Sequence, residues 1–133
     1  MIAEKNVIGM LLIDGKRMAD VYNMLSADMF TSAILGRIFL EFQRGYDNNK
    51  EVNTSTITQV LKGENYTQDE IGETLKSCIT EMSVSTTIKS HAEVIVLEHK
   101  ARLFNDLIAR IKVNSSGVNK QIGQLITDLE KLQ

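Results

Sequence analysis

Val94-Ile95-Val96-Leu97-Glu98-His99-Lys100-Ala101-Arg102-Leu103-Phe104-Asn105-Asp106-Leu107-Ile108-Ala109-Arg110-Ile111 decides the fold class. Val94, Leu97, Ala101, Phe104, Ile108 and Ile111 alternate spacings of three and four. That is a heptad seam, and it puts all six on one side of a helix. The helix is expected from about Ile88 to Val113. A second apolar row, Val96, Leu103 and Leu107, lies about a quarter-turn away. One helix partner cannot cover both rows. Either the rest of the chain covers the extra row, or another chain does.

The same spacing continues after a break. Asn114-Ser115-Ser116-Gly117 reads as a tight turn, and Val118, Ile122, Leu125, Leu129 and Leu132 then repeat the seam. Two seamed helices joined by so short a turn are expected antiparallel, as a helical hairpin. No helix stop precedes Gln133, so the natural chain is expected to continue.

Upstream, apolar residues again recur at three and four, and the chain has no proline. The pattern predicts an all-α fold: a compact bundle of short helices over 1–87, then the hairpin over 88–133. The first helix is expected over Ala3–Ile13, ended by a glycine cap at Gly15. A second is expected over Lys16–Leu25 with Met18, Val21, Tyr22 and Leu25 inward. Met29 and Phe30 should plug the core. A third follows over Ser32–Arg44 with the stripe Leu35, Ile38, Phe39 and Phe42. Asn53 or Thr54 should cap a short fourth helix carrying Ile57, Val60 and Leu61. Thr67-Gln68-Asp69-Glu70 reads as a capping box opening a fifth, with Ile71, Leu75, Cys78, Ile79 and Met82 inward.

At 133 residues the chain suits one domain with a core large enough to need no staples. Cys78 is the single cysteine, so no internal disulfide forms, and its helical spacing marks it as a core residue. No stretch is apolar for long enough to span a bilayer. The opening residues lack the basic region and cleavage site of a signal peptide. A cytoplasmic protein is expected. The net charge is −2 and the basic residues are scattered, so little direct DNA binding is expected.

Chemistry-bearing patterns are weak. Gly9 and Asp14-Gly15-Lys16-Arg17 mimic a phosphate loop, but the glycine spacing is one residue too long. Arg17 also stands where a magnesium-binding hydroxyl belongs. His91 and His99 are eight residues apart on one helix, over two turns, with no cluster to complete a metal site. Asp69 and Glu70 sit where a helix start favours carboxylates. No catalytic residue, bound cofactor or metal is expected in this chain.

A resemblance goes further. Glu4-Lys5-Asn6-Val7-Ile8-Gly9-Met10-Leu11-Leu12-Ile13-Asp14 is similar to the opening of DnaB-type replicative DNA helicases, Glu-Gln-x-Val-Leu-Gly-x-Leu-Leu-Leu-Asp. Asp28-Met29-Phe30 followed by Arg37-Ile38-Phe39 resembles the family's Asp-Phe and Arg-x-Ile-Phe elements. Val52–Ile57 lies where the family begins a short capped helix. Ile88 to Leu103 resembles the segment opening its hairpin, with Ala92, Ile95 and Val96 at matching places. The order of these elements spans nearly the whole chain. The chain lacks the family's prolines near Asn53 and Ser85, and Ile71-Gly72-Glu73 keeps one glycine of a common pair.

The resemblance implies the non-catalytic N-terminal collar of such a helicase. Hairpins then pair subunits into a trimer of dimers, and the collar docks the C-terminal domain of primase and can engage a helicase loader. ATP and magnesium would belong to a motor domain outside this chain. The resemblance assigns hairpin packing or subunit pairing to Val94, Leu97, Ala101, Phe104, Ile108, Ile111, Val118, Ile122, Leu125 and Leu129. Two alternatives stand beside it: the helicase-binding C-terminal domain of a primase, and a free-standing phage or plasmid adaptor that mimics the collar.

Overall fold

A computed structural model describes residues 2–113 and 118–132, and for 113 and 118–123 it describes the backbone alone. The described residues are all-helical, as the spacing predicts. The α-helices are α1 (Ile2–Ile13), α2 (Met18–Val21), α3 (Ala33–Asp47), α4 (Thr54–Lys62), α5 (Gln68–Glu81), α6 (Ile88–Val113) and α7 (Val118–Lys131). Short 3-10 turns at Gly15–Arg17 and Ala27–Met29 flank α2. The chain therefore ends in two long helices separated by four residues, the succession expected of a helical hairpin. The expected turn at Asn114–Gly117 lies outside the described residues.

Contacts gather into two compact units, Met1–Val96 and Leu97–Gln133. The core of the first forms around α1. Val7, Ile8 and Leu11 have no exposed surface, and Ala3 and Met10 are also buried. A helix apolar on so many sides belongs in the middle of a bundle. Its closest neighbour is α5, which brings Ile71, Leu75 and Cys78 inward. A Cβ on Gly9 would lie 2.3 Å from the Cys78 carbonyl oxygen, so only glycine allows this approach of α1 to α5. Leu35, Ile38, Phe39 and Phe42 of α3 and Ile57 and Leu61 of α4 complete the core. The Phe30 and Phe39 rings meet with centroids 5.1 Å apart, in the tilted geometry aromatic pairs favour. The first turns of α6 also belong here, because Ile88, Ala92 and Ile95 are buried in the same cluster.

Local signals set the helix ends, with some corrections. No described glycine has a positive φ, so Gly15 is not a left-handed cap. Asp14 is extended instead, and its side chain accepts from the Lys16 N–H to open the 3-10 turn. The expected second helix shrinks to Met18–Val21 because the chain re-tightens into that turn. The left-handed residue after α4 is Asn65 (φ 73°). A full capping box forms at Asn53 and Thr56. At α5 the Thr67 oxygen accepts from the Glu70 N–H, as expected. The Glu70 carboxylate, however, takes the Thr67 hydroxyl instead of a backbone group. Ile79 is exposed, and Met29 and Met82 only edge the core.

Candidate interaction surface

Two buried polar side chains explain why the opening motif carries polar residues at all. Glu4 is 1% exposed, and its carboxylate accepts from the backbone N–H groups of Thr31 and Ser32 at 3.1–3.2 Å and from the Thr31 hydroxyl at 2.6 Å. Ser32 is itself the N-cap of α3, accepting from the Leu35 N–H. The carboxylate thus holds the start of α3 against α1 with charge-assisted bonds. Asn6 bridges its own helix and the α5–α6 loop: its amide donates to the Ile2 carbonyl, and its oxygen accepts from the Ser83 N–H at 2.6 Å. These are positioning groups with no chemistry to perform. Their signal in the sequence was a charge and an amide on an otherwise apolar helix.

Other polar clusters on the first unit are also structural. Arg37 donates through Nε to Glu64 at 2.7 Å, tying α3 to the loop after α4. Its Nη1 lies 2.7 Å from Glu41 Oε1 as an ion pair, at an angle that makes no hydrogen bond. Tyr22 donates to Asp47 and stacks on Tyr46, ring centroids 4.7 Å apart. The Cys78 thiol is buried, and burial pushes it up to about 11. An open cleft of about 700 Å³ lies between the end of α1 and the end of α3, floored by Leu12, Phe42 and Val52 and edged by Lys16 and Lys50. His91 Nε2 lies 2.6 Å from the Thr86 hydroxyl, and burial pulls that imidazole below its ordinary value. His99 is half-buried. Among the described residues, no three His, Cys, Asp or Glu side chains gather as metal ligands. None of their helices is long and apolar enough to cross a membrane.

The feature that stands out is the apolar seam of α6. Leu97 is 65% exposed, Phe104 42% and Val94 41%, and Ala101 is exposed as well. Ile108 and Ile111 are half-buried. The second row behaves in the opposite way: Leu107 is 8% exposed, Val96 packs against the core cluster, and Leu103 sits at the margin with 36%. Helical geometry explains the contrast between Val94 and Val96. Ala92 is buried, and Val94, two residues on, points about 160° away from it around the axis. Val94 therefore leaves the core face behind, while Val96 stays close to it. On α7, Leu125 and Leu129 are half-buried and Ile126 is 54% exposed. The side chains of Val118 and Ile122 lie outside the described residues.

A monomer rarely leaves a row of large apolar side chains in water without a use for it. The arrangement offers an association surface, with no reacting group on it. Among known proteins, the family model described as "DnaB-like helicase N terminal domain" matches residues 1–97. No curated protein matches the chain.

Proposed function

This chain belongs to the DnaB-like helicase N-terminal domain family, and from that premise we propose that it is the assembly collar of a replicative helicase. The N-terminal domain of such helicases is non-catalytic. In this reading the segment 88–133 is the pairing module, and it joins subunits two by two within a ring of six. The motor that hydrolyses ATP lies outside these residues. The globular part presents a surface to the C-terminal domain of primase, and a loader engages the same collar.

The observation that carries the pairing is the exposed seam. Leu97, Phe104 and Val94 expose large apolar surface, and each fully buried side chain of this size gains about 1.5–3 kcal/mol. A second copy offers the same apolar face and is available wherever the first is. The family match is to the helicase side of the helicase–primase pair.

The test is sedimentation of the purified chain beside its Phe104→Asp variant. A concentration-dependent dimer is expected for the first and a folded monomer for the second, since the variant would bury a charge in the pairing seam. A chain that stays monomeric at high concentration, and that captures no primase C-terminal domain, would sink the reading.

A further inference from the structure

We propose that the cleft between the ends of α1 and α3 docks a short partner segment carrying large apolar side chains beside carboxylates. The proposal concerns the first unit alone. It stands whether or not two copies pair along α6.

The cleft is built into the backbone. A Cβ on Gly45 would lie 2.4 Å from Val52 Cγ2 and 2.8 Å from the Lys50 carbonyl oxygen, so glycine lets the chain after α3 fold back against it. Asn49 makes the reversal at φ 55°, and the Lys50 N–H donates to the Gly45 carbonyl at 2.8 Å. The returning chain brings Val52 into the floor with Leu12 and Phe42, under a space of about 700 Å³. That volume suits a bound group of a few side chains. Ile13 and Tyr46 are exposed large apolar side chains, and both stand on this cleft. Apolar groups gathered on one concavity mark a binding place more than scattered ones do.

Charge selects the occupant. Asp14, Lys16, Lys50 and Glu51 are the charged residues of the lining. Asp14 is engaged: one oxygen accepts from the Lys16 N–H at 3.2 Å, and the other lies 4.0 Å from Arg17 Nε. Lys16 and Lys50 are exposed, and no ion pair among the described residues involves either. Glu51 is unpaired in the same sense, so two free cations face one free anion. Helix C-termini repel carboxylates through their last carbonyls. Here the Met10 carbonyl accepts from the Asp14 N–H and the Arg44 carbonyl from the Asn48 N–H, which blunts that repulsion. A small free anion would leave the apolar floor in water. A nucleic acid needs more phosphate contacts than two lysines supply. Apolar side chains flanked by carboxylates satisfy both floor and rim.

The test selects random short peptides, displayed on phage, on the purified chain, with counter-selection on Gly15→Trp. Gly15 lines the cleft, and a side chain added there meets nothing within 4 Å, so the variant obstructs the cleft and keeps the fold. Peptides combining Leu, Ile or Phe with Asp or Glu are expected. Titrated as a fluorescein conjugate, the best of them should bind Lys16→Glu/Lys50→Glu at least about tenfold more weakly. Glu51→Gln should bind it about twofold more tightly, and added salt should weaken it. Selection of basic peptides, or of none tighter than about 100 μM, overturns the proposal. So does a peptide that binds Gly15→Trp and the lysine variant as it binds the parent. A fluorescent single-stranded oligonucleotide that binds only while Lys16 and Lys50 are present, where peptides fail, assigns the cleft to nucleic acid instead. Phe104 lies outside the first unit, so Phe104→Asp should bind the peptide as the parent does. Loss of peptide in that variant would move the site to the seam.

Discussion

Within residues 1–96, α1 is covered along nearly its whole length, and even its glutamate and asparagine are buried with their polar atoms bonded. Beyond Val96 the rule reverses. Leu97 is 65% exposed and Phe104 42%, while Leu107, on another side of the same helix, is buried. Both regions are written in the same three-and-four alphabet of apolar residues. The contrast teaches that this periodicity marks a face that wants cover, and says nothing of what supplies it. In the first unit α3, α4 and α5 supply the cover. Along α6 a second molecule is the candidate.

Breaking the first region should cost the most. Phe39 has no exposed surface and pairs with Phe30, so Phe39→Ala should destabilise the fold by about 3–5 kcal/mol in chemical denaturation. Gly9→Ala drives a methyl into the Cys78 carbonyl and should cost about 1–3 kcal/mol. Glu4→Gln weakens the hold on Thr31 and Ser32 and turns one acceptor into a donor facing N–H groups. A loss of about 1–3 kcal/mol is expected, read by the same denaturation. If Gly9→Ala or Glu4→Gln left stability unchanged, the claim that the first unit is held from α1 would fail.

The second region should respond in a different observable. Leu97→Ser or Phe104→Asp should leave the stability of the monomer within about 0.5–1 kcal/mol, as expected for exposed positions. The same changes should reduce self-association at least tenfold by sedimentation. A large fall in monomer stability would show the seam to be internal and erase the contrast.

The smallest effect concerns Cys78, whose folded thiol is held at about 11 against 9.0 for a free group. The unfolded chain therefore loses this proton first. The contribution to stability is full below pH 9 and fades as pH rises from about 9 to about 11, by no more than about 2–3 kcal/mol. Comparing the pH dependence of unfolding with that of Cys78→Ala isolates it from the lysines that titrate nearby. At pH 8 the native thiol should resist alkylation over hours.

Much of the first region was legible in advance. The stripe Leu35, Ile38, Phe39 and Phe42 forms the buried face of α3, and Asn53 caps α4 as its side chain suggests. What was not legible were interactions across the fold. Nothing near Glu4 in the sequence announces Thr31 and Ser32, and nothing near Gly9 announces the carbonyl of Cys78. Short local turns also escaped: Asp14, rather than Gly15, organises the end of α1, and the second helix contracts to a single turn. Turns of three or four residues carry too few hydrogen bonds for periodicity to reveal them.

By itself, the sequence determined the helical class, the long terminal helices, and through its opening motif the family. These rest on local preferences and on the order of residues along one chain. Only the tertiary structure decided which of the two apolar rows of α6 is covered. The seam with perfect heptad spacing is the one left exposed, while the irregular row Val96, Leu103 and Leu107 holds the more buried positions. The reason is geometric. Within the first unit, Ile88, Ala92 and Ile95 set the angle of α6 toward the core, which keeps Val96 against it and turns Val94 outward.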